Sequence, residues 1–276
     1  MVLANYDAII SALTNGLQEV APFQKASQTT DAAGAPCLSW RAVGNPSAGA
    51  VPATGAGTIP TKDTAGAIFM SNPTANLYLT KFGMGGATQN IAWLIDILWM
   101  NSGLSGTSAV AQSFTSTALT RYTGTAAAGN EIGLICWTAT GSTATTVTAN
   151  YTDQAGNTGN ATPTVNFWTG GLGGGTVPPT ADQFQVLPFA SGDYGVRALA
   201  SVTLAASTLT AGDFGACIFR RLAMVGFNAN QYVERDLVLQ TTSLPERFDD
   251  ACLALVIIPT TTSTGNYFGV VEAVEG

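Results

Sequence analysis

No histidine occurs in the 276 residues. That removes the commonest general base, the Ser-His-Asp and Cys-His nucleophile pairs and every His-ligated metal. No catalytic activity is expected. The remaining chemistry would have to come from carboxylates, thiols and aromatic rings. Asp96 stands alone in the most apolar run of the chain, IAWLIDILWM at 91–100. It is either a buried catalytic acid or, in the better-supported reading, a carboxylate held by an Arg or a backbone donor, because a lone charge is rarely buried. Glu246, Asp249 and Asp250 offer oxygens of the kind Ca²⁺ takes, but they lack the D-x-D-x-D-G order and enclose Arg247. They read as a solvated turn. No spacing singles out a carboxylate pair of the glycosidase type. Glu234-Arg235-Asp236 reads as a salt-bridge cluster at a surface or interface.

Cys37, Cys136, Cys217 and Cys252 include no C-x-x-C pair, and each has an apolar neighbour. They read as buried reduced thiols, with disulfides formed after release from a cell as the sharper alternative. A metal site fits their spacing least. No metal or cofactor is expected. Among the tryptophans, Trp93, Trp99 and Trp137 lie in the most apolar stretches and read as core. Trp168, beside the glycine run GGLGGG at 170–175, is the one placed as an exposed platform. With Tyr151 and Asp153 it makes a candidate site for a host surface glycan.

The bulk composition points to contact with other subunits. Charged residues are 10% of the chain and hydrophobic ones 46%, against roughly 25% charged in ordinary domains. So sparsely charged an exterior is expected to be covered by neighbours. The net charge of −7, with ten Lys plus Arg, leaves no basic footprint for nucleic acid. No apolar run approaches the ~20 residues of a membrane helix. The start MVLANYDAII has no basic segment and is interrupted by Asp7, so no signal peptide is expected. The chain is expected to be soluble and made in a reducing compartment unless something external exports it.

These residues must be positioned mainly by strands. The run at 91–100 is apolar on both faces of a strand, so it is read as a central strand covered on both sides. Further strands are expected at 37–43, 66–71, 77–82, 118–122, 132–137, 183–189, 196–205, 214–222, 237–240, 251–258 and 267–274. A hairpin is expected from 146–151 to 164–168, with Gly156 near its tip. A weak internal echo joins 129–136 to 212–218. One helix is expected at 2–20, with Leu3, Tyr6, Ile10, Leu13 and Leu17 on its apolar stripe. It either packs on its own domain or docks on a neighbouring subunit. Residues 44–65 are Gly, Ala, Pro, Ser and Thr at almost every position, a long loop that is either an ordered clasp or disordered. The fold class is all-β, a β-sandwich or jelly roll. Its expected units are a helix and extended arm over 1–65 and two stacked sandwich halves over 66–169 and 170–276, or one continuous domain over 66–276. The run at 170–175 is a linker or a wide loop.

Four passages together resemble structural proteins of tailed bacteriophages. They are YLTKFGMGGATQNIAWLIDILWMNSGLSGT (78–107), TVTANYTDQAGNTGN (146–160), LPFASGDYGVRALASVTL (187–204) and CLAL (252–255) with its PTTT tail (259–262). The resemblance spans most of 77–262 and contains no catalytic signature. It implies a virion component outside the major shell, such as a capsid decoration, head spike or fibre base, or a neck and collar piece. It implies a homo-oligomer that meets other virion proteins of the capsid, neck or portal and is made in the bacterial cytoplasm. The low charge and strand-rich pattern suit such a symmetric subunit.

Overall fold

In a computed structural model of the chain, residues 6–16, 18–28, 33–71, 77–170, 175–176, 180–240, 245–261 and 265–275 are described. One helix, α1 (Tyr6–Thr14), precedes the longer strands β1 (Gln18–Ala26), β2 (Leu77–Gly86), β3 (Asn90–Met100), β4 (Asn130–Thr138), β5 (Thr146–Asp153), β6 (Phe184–Leu187), β7 (Val196–Leu204), β8 (Asp213–Phe227) and β9 (Tyr232–Asp236). A short helix, α2 (Leu237–Gln240), then leads to β10 (Leu253–Pro259) and β11 (Asn266–Glu275). The chain is an all-β sandwich of antiparallel sheets.

The apolar run at 91–100 is the fourth strand of a central sheet ordered β6-β4-β8-β3-β10, with Cys37–Leu38 on the far edge. A first sheet runs β9-β2-β11-β1, ending on Gly44–Asn45, with Glu246–Arg247 also paired to β2. A third sheet pairs β5 with β7 and adds the short strands Val165–Asn166, Asn160–Ala161 and Gln112–Ser113. The return of 146–151 onto Val165–Asn166 is the expected hairpin, with Val147 opposite Val165. The two echoing stretches become neighbours, since β4 and β8 pair antiparallel.

Register explains how one sheet serves two partners. Ala92 and Leu94 of β3 pack into the core shared with the first sheet, against Phe82, Met84 and Val271. Leu98 and Trp99 pack with the third sheet, against Val147, Tyr151 and Val202. The pairing slips between Ile218–Trp99 and Phe219–Ile97, and again between Arg221–Ile95 and Ala223–Leu94. Leu98 and Leu222 are therefore extra residues in bulges, and a bulge reverses the alternation of all residues beyond it. The first and third sheets thus lie side by side on one face of the central sheet. Ile95, Ile97, Phe219 and Val256 point to the other face, which Trp40 and Ala67 cover.

The loop at 44–65 is built onto its own chain. The Trp40 indole N–H donates to Ala50 O at 2.8 Å, and bridges join Thr54 to Ser102 and Thr58 to Met100. A Cβ on Gly49 would stand 2.3 Å from the Trp40 ring. Only glycine allows that approach.

Several expectations are corrected. The helix does not run to residue 20: Asn15-Gly16 turns the chain, with Gly16 at φ +71°, and β1 begins at Gln18. Ala21 and Phe23 face the core while Val20 and Pro22 face outward, a period of two. Within the expected helix and arm over 1–65, β1 lies between β11 and Gly44–Asn45, and Cys37–Leu38 edges the central sheet. The 66–169 and 170–276 halves are not separate sandwiches either. The central sheet alternates strands from both, and the third sets β7 of the second between β5 and Gln112–Ser113 of the first. Residues 66–71 and 118–122 form no strand beyond the bridge Ile68–Leu253, and 237–240 is helical. At the glycine run, Thr169–Gly170 pairs with Gly175–Thr176, and 171–174 lie outside the described residues.

Candidate functional site

The outward face of the first sheet is the surface on which the sequence-derived interface residues meet the rest of the molecule. Register sorts it into rows across β1, β11, β2 and β9. Gln18, Val274 and Tyr78 form one row, and Val20, Glu272, Lys81 and Asp236 the next. Pro22, Val270, Gly83 and Glu234 follow, then Gln24, Phe268, Gly85 and Tyr232. Helix α1 covers the first row, its Ile9 and Ala12 packing on Val274 with Tyr78 and Val238 against them. Ile10 and Leu13 point away from that contact and stand 57% and 38% exposed. Leu3 and Leu17 lie outside the described residues, as does the Tyr6 side chain.

In the second row Lys81 Nζ lies 3.1 Å from Glu272 and 3.6 Å from Glu234. The hydrogen bond to Glu272 raises the Lys81 pKa, and the one ammonium faces two carboxylates. The 234–236 stretch contributes to this ion cluster through Glu234. Glu234 meets Lys81, Arg235 donates to Met224 O at 3.1 Å, and Asp236 accepts from Val238 N–H at 2.8 Å.

The expected glycan platform is overturned by burial. Trp168 is 3% exposed, Tyr151 1% and Asp153 4%. Trp168 packs on Phe167 at 5.2 Å, and its backbone N–H donates to Gln185 Oε1 at 2.7 Å. The Tyr151 hydroxyl donates to Asp193 at 2.5 Å, and burial followed by that carboxylate lifts its pKa to about 12. Asp153 accepts from the backbone N–H groups of Gly156 and Asn157 and closes the hairpin turn.

Asp96 lies at the seam between the two covering sheets. Its carboxylate accepts from Arg121 Nε at 3.0 Å and Nη2 at 2.9 Å, and from Cys252 N–H at 2.8 Å. Both partners are buried, at 0% and 3% side-chain exposure. Arg121 Nη2 also donates to Ile97 O and Pro60 O. Burial pushes the Asp96 carboxyl above the usual range, against the pull of Arg121 and the Cys252 N–H. Beside this pair, Tyr122 donates to Glu246 O at 2.6 Å and carries the Arg220 guanidinium 4.8 Å above its ring. Arg220 is committed to Ala126 O and Ala128 O. A cleft of about 410 Å³ opens here, lined by Tyr122, Arg220 and Glu246. Asp96, Arg121 and Arg220 are thereby each tied to named partners at the seam.

The acidic turn is organised around its arginine. Arg247 is fully buried and donates to Met70 O, Ser71 O and Asp249 O. All four cysteines are buried, and none forms a disulfide among the described residues. Burial pushes the Cys136 thiol up to about 12 and raises Cys217 and Cys252 as well. Among the described residues no group of acidic and thiol side chains has the geometry of a metal site. None of their helices is long and apolar enough to cross a membrane.

No family model and no curated protein matches the chain. Two solved structures of infectious bursal disease virus, a VP2 subviral particle and the Gx strain, align over 94% and 93% of this chain and 80% and 79% of theirs. Identity is 10% and the TM-score 0.17 in each case, a level that carries no argument about fold or function.

Proposed function

We propose that this chain is a structural subunit of a tailed-phage particle, a capsid decoration or neck and collar piece. It acts by self-association and by docking on the capsid, neck or portal, and the reading assigns it no catalytic role. The observation that carries it is the exposed apolar surface of a sparsely charged chain. Leu209, Val110, Val43 and Ile10 stand 77%, 72%, 66% and 57% exposed, while charged residues are 10% of the whole. Burying such side chains between subunits removes their apolar area from water at about 25 cal/mol per Å². The passages that resemble phage virion proteins supply the particle. The symmetric oligomer follows from the general preference of soluble assemblies for closed symmetry.

The test is light scattering on the purified chain across a concentration range, beside Ile10→Asp/Leu13→Asp. The expected result is a defined oligomer that the double variant weakens, together with co-sedimentation of the native chain with phage particles. A native chain that stays monomeric and ignores the particles would overturn the reading.

A further inference from the structure

We propose that the last row of the first sheet's outward face is a binding site for a neutral sugar, built on Tyr232 and Phe268. The two residues flank Gly85 across β9, β2 and β11. Their rings are nearly parallel, at 8°, with centroids 6.2 Å apart, and the side chains are 42% and 46% exposed. The glycines of β2 make this arrangement. A Cβ on Gly83 would stand 2.2 Å from the Tyr232 hydroxyl, and one on Gly85 3.2 Å from the Phe268 ring tip. With side chains at those positions the rings could not lean in over the strand. Stacking removes part of each ring from water and fixes their orientation, while the exposed remainder forms an apolar surface on the outward face.

Beside Phe268 lies a cavity of about 470 Å³, lined further by Gln24, Gly86, Ala87, Asn230 and Asn266. That volume falls within the roughly 300–1,000 Å³ of small-molecule sites. Gln24, Asn230 and Asn266 are exposed, and among the described residues their side-chain amides bond to nothing else. No ionisable group lines the cavity. The Lys81 ammonium and the Glu234 and Glu272 carboxylates on the same face leave a formal excess of one negative charge, which does not favour an anionic ligand.

Together these features select the ligand. Ring faces carry the negative side of the π quadrupole, which attracts the weakly positive C–H face of a pyranose. Amides offer both donor and acceptor, as adjacent hydroxyls do. A lining without cations gives nothing to a phosphate or a carboxylate. The amide rim is too polar for a lipid tail. An all-equatorial, gluco-configured chain fits best, because it presents axial C–H bonds on both faces.

The experiment uses the full chain with cellohexaose, followed by saturation-transfer NMR. Transfer to the axial ring protons is expected in the native protein, lost in Tyr232→Ala and Phe268→Ala and retained in Tyr232→Phe. Asn266→Asp removes an amide at the rim without touching the aromatic pair, so it tests the site even where an alanine variant unfolds. Its expected effect is about tenfold weaker binding, the equivalent of one lost hydrogen bond. Absence of transfer to cellohexaose, chitohexaose and mannohexaose alike, or transfer undiminished in folded Tyr232→Ala, would overturn the proposal. Oligomer size measured on the same samples separates this result from the assembly reading.

Discussion

Replacing Arg121 with Met leaves the Asp96 carboxylate buried with only the Cys252 N–H to hold it, and strands Ile97 O and Pro60 O. Breaking one side of a buried pair costs about 3–5 kcal/mol, several times the value of an exposed pair. The pH dependence identifies the cause. The folded pKa of Asp96 already lies above its unfolded value because of burial. Its contribution is therefore full below the unfolded value, near 4, and is lost as pH rises through the folded one. Removing Arg121 lifts the folded value further and extends that loss to higher pH. Above the native chain's folded value, the deficit of Arg121→Met relative to the native chain should grow as pH rises, until the variant's own folded value is passed. Adding Asp96→Asn should recover part of the deficit and flatten its pH dependence. Urea unfolding followed by tryptophan fluorescence at several pH values reads both. A deficit below about 1 kcal/mol at pH 7, as for an exposed pair, or one unchanged with pH, would refute a desolvated charge at the seam.

Other expectations follow from burial in the same way. Lys25 donates to Ala42 O and Ser47 O, and burial lowers its pKa from 10.5 to about 8. The unfolded chain therefore holds the extra proton between those values, so stability rises with pH from 8 towards 10. Lys25→Met should remove that rise in thermal melts, and parallel native and variant profiles would contradict it. Trp168→Ala should cost about 3–5 kcal/mol in urea unfolding while leaving transfer to cellohexaose intact; loss of the sugar signal from a folded variant would restore Trp168 as a platform. A thiol reagent at pH 8 should leave all four cysteines unlabelled until guanidinium is added. Fast labelling of the native chain would contradict their burial.

The strands were legible wherever alternation or a double-faced apolar run was strong, as in 91–100 and 146–151. They were misread where the local signal belonged to a different period. In 18–26 the outward Val20 extended the helical stripe of the preceding residues, while Ala21 and Phe23 were already alternating inward. At 118–122 the apolar pattern resembled a strand, yet Arg121 leaves it to reach Asp96. Tyr232 and Phe268 lie 36 residues apart in sequence and drew no notice. Their only sequence signal was a strand, β2, carrying glycines at 83 and 85, where a side chain would be expected.

Composition and periodicity alone determined that this is a β protein without histidine chemistry, with thiols hidden and one acid sunk in an apolar strand. Those properties depend on residue type and near neighbours, which the chain states directly. Tertiary structure alone decided that the first and third sheets share one face of the central sheet, that the acid's partner comes from a distant loop, and that Trp168 is inside while two unremarked rings are outside. The first rests on bulges that reverse which way side chains point, and the others on contacts between parts of the chain far apart in sequence.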